Sequence, residues 1–302
     1  MSIYVEILIQ GPLDELWRLT QTPELHSRWD LRFTEIEYLP RSGDDDPQRF
    51  LYATRIGFGW KIRGEGESIG RRYGPRGERA SSLKFHSEDP KSLIREGAGY
   101  WRYAPTDDGV RFLTSYDYRT RFGPAGRVFD ALVFCPLMGW ATAWSFDRLR
   151  LWIERGIDPE SSMRLALIHA VARATIAVVW LYQGVVPKLL GPHADELEML
   201  RQAGFASATA PVAIRAIGWC EVAFGLVVLL LFHQRWPLFA TLGLMNVATA
   251  TVALNSPGFL VAAFNPVSLN LLLAAMALVG LTAGRDLPSA RRCLRRPPEA
   301  RS

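Results

Sequence analysis

The chain has 302 residues, enough for two domains, with 35 Lys and Arg against 30 Asp and Glu for a net charge of +5. Its 3 cysteines, Cys135, Cys220 and Cys293, lie far apart with no CxxC or Cys/His spacing, which argues against a disulfide framework, a structural zinc site or an iron–sulfur cluster. Much of the basic excess sits in Arg285, Arg291, Arg292, Arg295, Arg296 and Arg301, behind a long apolar segment; there it marks the cytoplasmic side of a membrane and contacts anionic lipid rather than nucleic acid.

The opening MSIYVEILIQGPLDELW has no basic n-region and no long apolar core, so no cleavable signal peptide is expected. Ile3, Val5, Ile7 and Ile9 alternate with polar partners, the pattern of a half-buried strand. Pro12 opens a helix, PLDELWRLTQTP, and PELHSRWD adds a second short one. Six strand-like runs follow: 32–39, 49–58, 61–70, 80–86, 94–103 and 110–121. The turn signals SGDDDP, GFG, YGPRG, EDPKS and PTDDG divide them. A long helix over about 124–155 closes this half.

The closing helix contains VFDALVFCPLMGWATAW, whose only charge is Asp130. Its length is at the short edge for a membrane span, and Pro136 and Gly139 interrupt it. Phe129, Val133, Leu137, Trp140 and Trp144 recur at helical spacing and are expected to form one stripe facing the sheet. A core helix is the preferred reading, with contact to the bilayer surface or a fifth span as alternatives.

One strand, two small helices, a curved antiparallel sheet and a long final helix make a recognisable order. With PLDELWRLTQTPELHSRWD and the aromatic closing helix, residues 1–156 resemble the SRPBCC superfamily, the START-like or polyketide-cyclase-like helix-grip proteins. The resemblance implies an α+β helix-grip domain over residues 1–158 that holds a hydrophobic ligand between sheet and helix. A few such domains are cyclases or hydrolases. Candidate pocket residues are Trp60, Trp101, Tyr116, Tyr118, Phe129, Val133, Leu137, Trp140 and Trp144.

Catalytic residues are not identifiable. Glu65 and Glu67 share one face of a strand, which a solvated face explains as well as a carboxylate pair. His26, near Asp30 and beside Trp29, reads as a helix-end surface histidine, with a general base as the alternative. His86 near Glu88 is a further polar pair. GFG and GEG lack the context of a phosphate loop, and no Walker, Rossmann or nucleophile-elbow signature occurs.

Residues 163–284 carry four apolar segments, at about 165–186, 212–232, 236–254 and 266–283. At ~1.5 Å per residue, about 20 residues cross the ~30 Å hydrocarbon core. An all-α four-helix transmembrane bundle is therefore expected, followed by a basic, disordered cytoplasmic tail over 285–302. Arg148, Arg150, Arg155 and Arg164 precede the first segment, His233 and Arg235 separate the second from the third, and arginines follow the fourth. The positive-inside rule then puts four spans in the cytoplasmic membrane with both termini cytoplasmic.

Ionisable groups inside spans are costly and need partners. By helix rise, Arg173 lies ~12 Å into the first segment and Glu221 ~13 Å into the second, so the two are expected to pair across helices. His169, Gln183, Lys188, Arg215 and Asn246 complete the expected intramembrane polar network. Bundle glue and a polar pocket for a quinone, small acid or proton relay both account for it. No metal site and no haem pair of histidines is evident.

VVWLYQGVVPKLLGPHADELEML, followed by IRAIGWCEVAFGLVVLLL, resembles the DoxX-like membrane proteins. Tyr182, Gln183, Gly184, Pro187, Lys188, Leu189, Gly218, Glu221 and Gly225 carry the resemblance. It implies a four-helix bundle over about 165–284, some relatives of which belong to oxidoreductase complexes. The leading functional reading is a membrane-anchored binding protein for a hydrophobic small molecule or lipid. The alternatives are a component of a quinone-linked membrane oxidoreductase, with quinone as cofactor, and a module that recruits a membrane or oxidoreductase protein partner.

Overall fold

The alternating pattern of the first residues builds β1 (Ser2–Ile9), followed by α1 (Leu13–Gln21) and α2 (Pro23–Trp29). The sheet continues as β2 (Glu35–Tyr38), β3 (Arg49–Ile56), β4 (Trp60–Tyr73), β5 (Arg79–His86), β6 (Ile94–Thr106) and β7 (Gly109–Thr120). This is a computed structural model; it describes residues 2–298 apart from 42, 44, 45, 57, 58 and 264. The end of the run expected as a strand over 49–58 thus lies outside the described residues.

All seven strands pair antiparallel in the order β1-β7-β6-β5-β4-β3-β2. The register places Ile3, Val5, Ile7 and Ile9 opposite Tyr116, Thr114, Phe112 and Val110, so one face buries both sets. Fully burying one such side chain stabilises by about 1.5–3 kcal/mol. Aromatic rings lie flat over glycines on neighbouring strands. A Cβ on Gly97 would meet Phe85 Cζ at 2.4 Å, and one on Gly66 would meet Phe50 Cζ at 2.3 Å. The sheet is thus lined by rings lying along it.

The closing helix is α3 (Gly123–Phe129), a π-helical turn at Asp130–Phe134, and α4 (Cys135–Arg155). It covers β1 and α2 with its second half: Thr142–Leu149 are all buried. The expected stripe is not the one that turns inward. Trp144 is buried, but Phe129, Val133, Leu137 and Trp140 are exposed. The π turn accommodates one extra residue and rotates what precedes it. Asp130 points in, and Phe134 and Met138 follow it at partial burial.

Residues 285–302 were expected as a disordered tail, but 288–294 take a defined place on the N-terminal domain. Leu294 pairs with Glu6 through both backbone hydrogen bonds at 2.9 Å, alongside β1 at the sheet edge. Ser289 N–H donates to the buried Asp147 at 2.8 Å, and Cys293 Sγ lies 3.2 Å from Ala143 O. The first compact unit is therefore Met1–Ser162 together with Pro288–Ser302, and the second is Met163–Leu287.

The second unit holds α5 (Pro159–Gly184, whose first residues lie in the first unit), a π-helical stretch at Val185–Leu190, α6 (Ala194–Gln202), α7 (Ala210–Leu230), α8 (Trp236–Asn255) and α9 (Pro266–Ala283). Its core gathers Ile176, Ala177, Trp180, Val228, Leu238, Met245, Leu273, Ala277 and Leu281. α5 and α7 approach closely where glycines face each other. A Cβ on Gly184 would lie 2.6 Å from Gly218 O. Small residues at such a crossing are how helices pack within lipid. Among the described residues five helical stretches are long and apolar enough to cross a membrane, one more than the sequence count; the additional one is Gly123–Arg155.

Candidate functional site

Two polar groupings lie under the helix in the N-terminal domain. In the first, Asp30 is buried at the end of α2. Its Oδ1 accepts from Arg32 N–H at 3.0 Å and Arg32 Nε at 2.9 Å, and its Oδ2 accepts from an Arg32 terminal nitrogen at 2.6 Å. Oδ2 also lies 3.0 Å from His26 Nε2. Burial pushes the Asp30 carboxyl up, but the charge of Arg32 and the hydrogen bonds from His26 and Arg32 outweigh it, so it stays well below the usual carboxylate range. Burial pulls the His26 imidazole below its ordinary value, against the opposing pull of Asp30.

His26 is therefore not the surface histidine expected from its neighbours. Its ring stacks on Trp29 at 5.0 Å and meets the edges of Phe33 at 5.1 Å and Trp101 at 4.9 Å. The Arg32 guanidinium lies 5.5 Å from the Tyr116 ring, and Tyr116 Oη is 3.2 Å from Thr142 Oγ1 on α4. The spacing of His26 and Asp30, one helical turn apart, was the available signal. Trp29 and Phe33 are near in sequence, but Trp101 comes from β6 and carries no local signature.

In the second grouping Tyr118 Oη donates to the buried Asp130 at 2.7 Å. Burial and this carboxylate raise the Tyr118 phenol well above its usual value. The contact explains the π turn: it brings a carboxylate inward to a partner that an unbroken helix would turn away.

The sequence-predicted pocket residues thus divide. Trp101, Tyr116, Tyr118 and Trp144 are buried in the interior, with Trp140 stacked on Trp144 at 6.2 Å. Trp60, at the start of β4, is 62% exposed and stands apart. Phe129, Val133, Leu137 and Trp140 are open, as is Leu132. Glu65 pairs with Arg49 at 3.0 Å with both side chains largely exposed, and His86 and Glu88 are exposed. These are solvated strand and turn residues.

In the helical unit the expected network separates into two clusters. Arg173 does not meet Glu221. Its Nε donates to His169 Nε2 at 3.0 Å and one terminal nitrogen donates to Val228 O at 2.7 Å, while the other donates to Gln234 O. His169 Nδ1 in turn lies 2.7 Å from Gly280 O on α9. A cation here satisfies the orphan carbonyls that end α7 and lies at the negative end of its dipole. Arg173 stands level with the end of α7 and not with its middle, because the packing of α5 on α7 brings it to Val228 O and Gln234 O.

Glu221 instead lies 3.1 Å from Lys188, which is buried in the π stretch and also meets Glu196 at 3.1 Å and Gln183 O at 3.3 Å. Trp180 is buried nearby against Phe224 at 5.0 Å, and its Nε1 has no partner among the described residues. Arg215 and Asn246 are exposed on the outside of their helices and belong to neither cluster; Asn246 donates to Leu242 O on its own helix.

Comparison with known proteins places this arrangement. Over 183 residues the chain is 50% identical to the uncharacterized membrane protein YndG of Bacillus subtilis (strain 168), an alignment covering 60% of this chain and 68% of the relative. The chain belongs to the same family as YndG. The DoxX-like family model matches residues 177–278, which contain Lys188, Gly218 and Glu221 of the second cluster. Among solved structures, TTHA0849 from Thermus thermophilus is similar over 51% of this chain and 99% of its own, at 16% identity and TM-score 0.39. A STAR-related lipid transfer protein fragment from Xanthomonas axonopodis is similar over 51% of this chain and 86% of its own, at 15% identity and TM-score 0.38. This relative of YndG is a membrane protein with a DoxX-like region and, ahead of it, an antiparallel sheet gripped by a long helix.

Proposed function

We propose that the protein crosses the cytoplasmic membrane four times, with both termini cytoplasmic, and that its N-terminal domain holds a hydrophobic small molecule or lipid. The observation that carries the reading is the aromatic interior. Trp101, Tyr116, Tyr118 and Trp144 line the sheet and helix, and the preceding turns expose the apolar side chains of Phe129, Leu132, Val133, Leu137 and Trp140. Large apolar faces left open on a domain are where apolar partners bind. Anchoring such a domain to a membrane raises its effective concentration toward guests dissolved there.

The span count rests on connectivity. Residues before the first span and after the last belong to one compact unit, which supports an even number of crossings. Gly123–Arg155 fits a sheet-covering helix better than a span, because its second half carries the buried Asp147 and Arg148 with Arg150 and Glu154. The test is to purify the intact chain from membranes and identify hydrophobic molecules retained at stoichiometric amounts by mass spectrometry. An empty protein counts against the reading.

A second reading is favoured by one observation in the bundle. Trp180 Nε1 is buried without a partner among the described residues, and its ring packs on Phe224, one helical turn along α7 from Glu221. A quinone carbonyl is an acceptor suited to that donor. Quinone reduction by membranes containing the protein, lost in Glu221→Gln with the fold retained, supports this reading. If neither guest nor reduction is found and a second protein co-purifies, recruitment of a partner is the better account.

A further inference from the structure

His26 is held as if to present one nitrogen. Asp30 is ionised and offers only acceptors, so the proton between Asp30 Oδ2 and His26 Nε2, 3.0 Å apart, sits on Nε2. A neutral imidazole then leaves Nδ1 as a bare acceptor. That nitrogen has no hydrogen-bond partner among the described residues, and the side chain keeps 12% of its exposure. Trp29, Phe33 and Trp101 pack around the ring, and Arg32 fixes the carboxylate from the other side. An acceptor oriented by a carboxylate and set among aromatic rings is the arrangement that meets a hydroxyl on a flat apolar molecule.

We propose that the His26–Asp30 pair is a polar anchor inside the N-terminal domain, with His26 Nδ1 accepting a hydrogen bond from the hydroxyl of an aromatic or polycyclic guest. The proposal rests on the ligand-holding reading above and adds the chemical class of the ligand. Trp29 and Trp101, both buried, pack against the imidazole and hold its plane, and Asp30 with Arg32 holds the ring's tautomer and direction. Asp30 is a positioning residue, since it acts through His26.

The test uses the full chain in nanodiscs, with empty nanodiscs subtracting partition into lipid. 1-Naphthol and 1-methoxynaphthalene differ by one donor, and tryptophan quenching reads their binding. The native chain is expected to bind the naphthol at least tenfold more tightly, about 1.4 kcal/mol. His26→Phe keeps an aromatic ring there and should bind the ether as before while losing the tenfold preference. Asp30→Asn should weaken the preference.

Equal binding of both compounds by the native chain, or a preference that survives His26→Phe, overturns the anchor and leaves the ligand-holding reading standing. If neither compound binds and the purified protein is also empty, both readings fall. Nitrogen-15 NMR of histidine-labelled protein gives a check that needs no guest. The proton of His26 is expected on Nε2, and finding it on Nδ1 overturns the proposal.

Discussion

Lys188 and Glu221 meet at 3.1 Å, joining the π-helical stretch after α5 to the middle of α7. The contact sits beside the place where Gly184 and Gly218 let the two helices approach. Charge pairing and small-residue packing therefore fix the same crossing.

Breaking that pair should cost more than removing it. Lys188→Met leaves Glu221 without its cation and is expected to destabilise by about 3 kcal/mol or more, while Glu221→Gln, which leaves Lys188 its contact with Glu196, should cost less. The double variant should be less unstable than the sum of the singles. Unfolding of all four proteins in mixed micelles gives the coupling energy, and additive losses would show that the residues do not interact.

Arg173 should tolerate no substitute. Arg173→Lys supplies a point charge where a fork reaches His169, Val228 O and Gln234 O. Arg173→Lys is expected to lose about 1–3 kcal/mol and Arg173→Met more, from unsatisfied carbonyls at the end of α7. Equal stability of Arg173→Met and the native chain, by the same unfolding measurement, would refute the capping role.

Cys293 should be protected by the fold. Burial, with Asp147 nearby, raises its thiol to about 12. In a chain with Cys135 and Cys220 replaced by serine, a maleimide reagent should leave Cys293 unmodified until denaturant is added. Asp147→Asn weakens the hold on Ser289 and should make the thiol reactive under native conditions. Rapid labelling of the native protein would place the tail elsewhere.

The N-terminal domain should weaken in mild acid. The folded His26 value lies below its ordinary 6.5, so below that pH the unfolded chain takes up a proton that the folded chain refuses. Stability is therefore full above about pH 6.5 and falls as the pH drops toward the folded value. Asp30, depressed in the folded state, adds a loss only in stronger acid, below its ordinary 3.8. Tryptophan-detected melting at pH 7.5 and 5.5 should show a drop that is absent in His26→Gln.

Reporter fusions test the path through the membrane. A cytoplasm-active reporter should work after residue 298, and an exterior-active one within the 203–209 segment between α6 and α7. Exterior activity at the C-terminal position would overturn the cytoplasmic placement of the termini.

The sheet was readable because alternation and turn residues are local. Ile3 to Ile9 and the PTDDG turn are written in adjacent positions, and so are the uncharged runs of α8 and α9. The inward face of the closing helix was not readable. Its register depends on Asp130 reaching Tyr118, a contact between elements that no periodicity in the helix reveals. The Arg173–Glu221 pairing failed for a related reason: which turn of α7 faces Arg173 is set by how the two helices pack, and a depth counted along each segment does not contain it. The enclosure of His26 is completed by Trp101 on β6, a contact between elements far apart in the chain.

The hydrogen bonds between Leu294 and Glu6 have a consequence for biosynthesis. The ribosome makes β1 before the apolar helices and its edge partner after them. The early domain must wait, with one flank uncovered, while every membrane helix is threaded by the insertion machinery. The seam closes only when Leu294, made after the whole helical unit, reaches Glu6, so the edge of the domain is completed after the helices that separate its two parts.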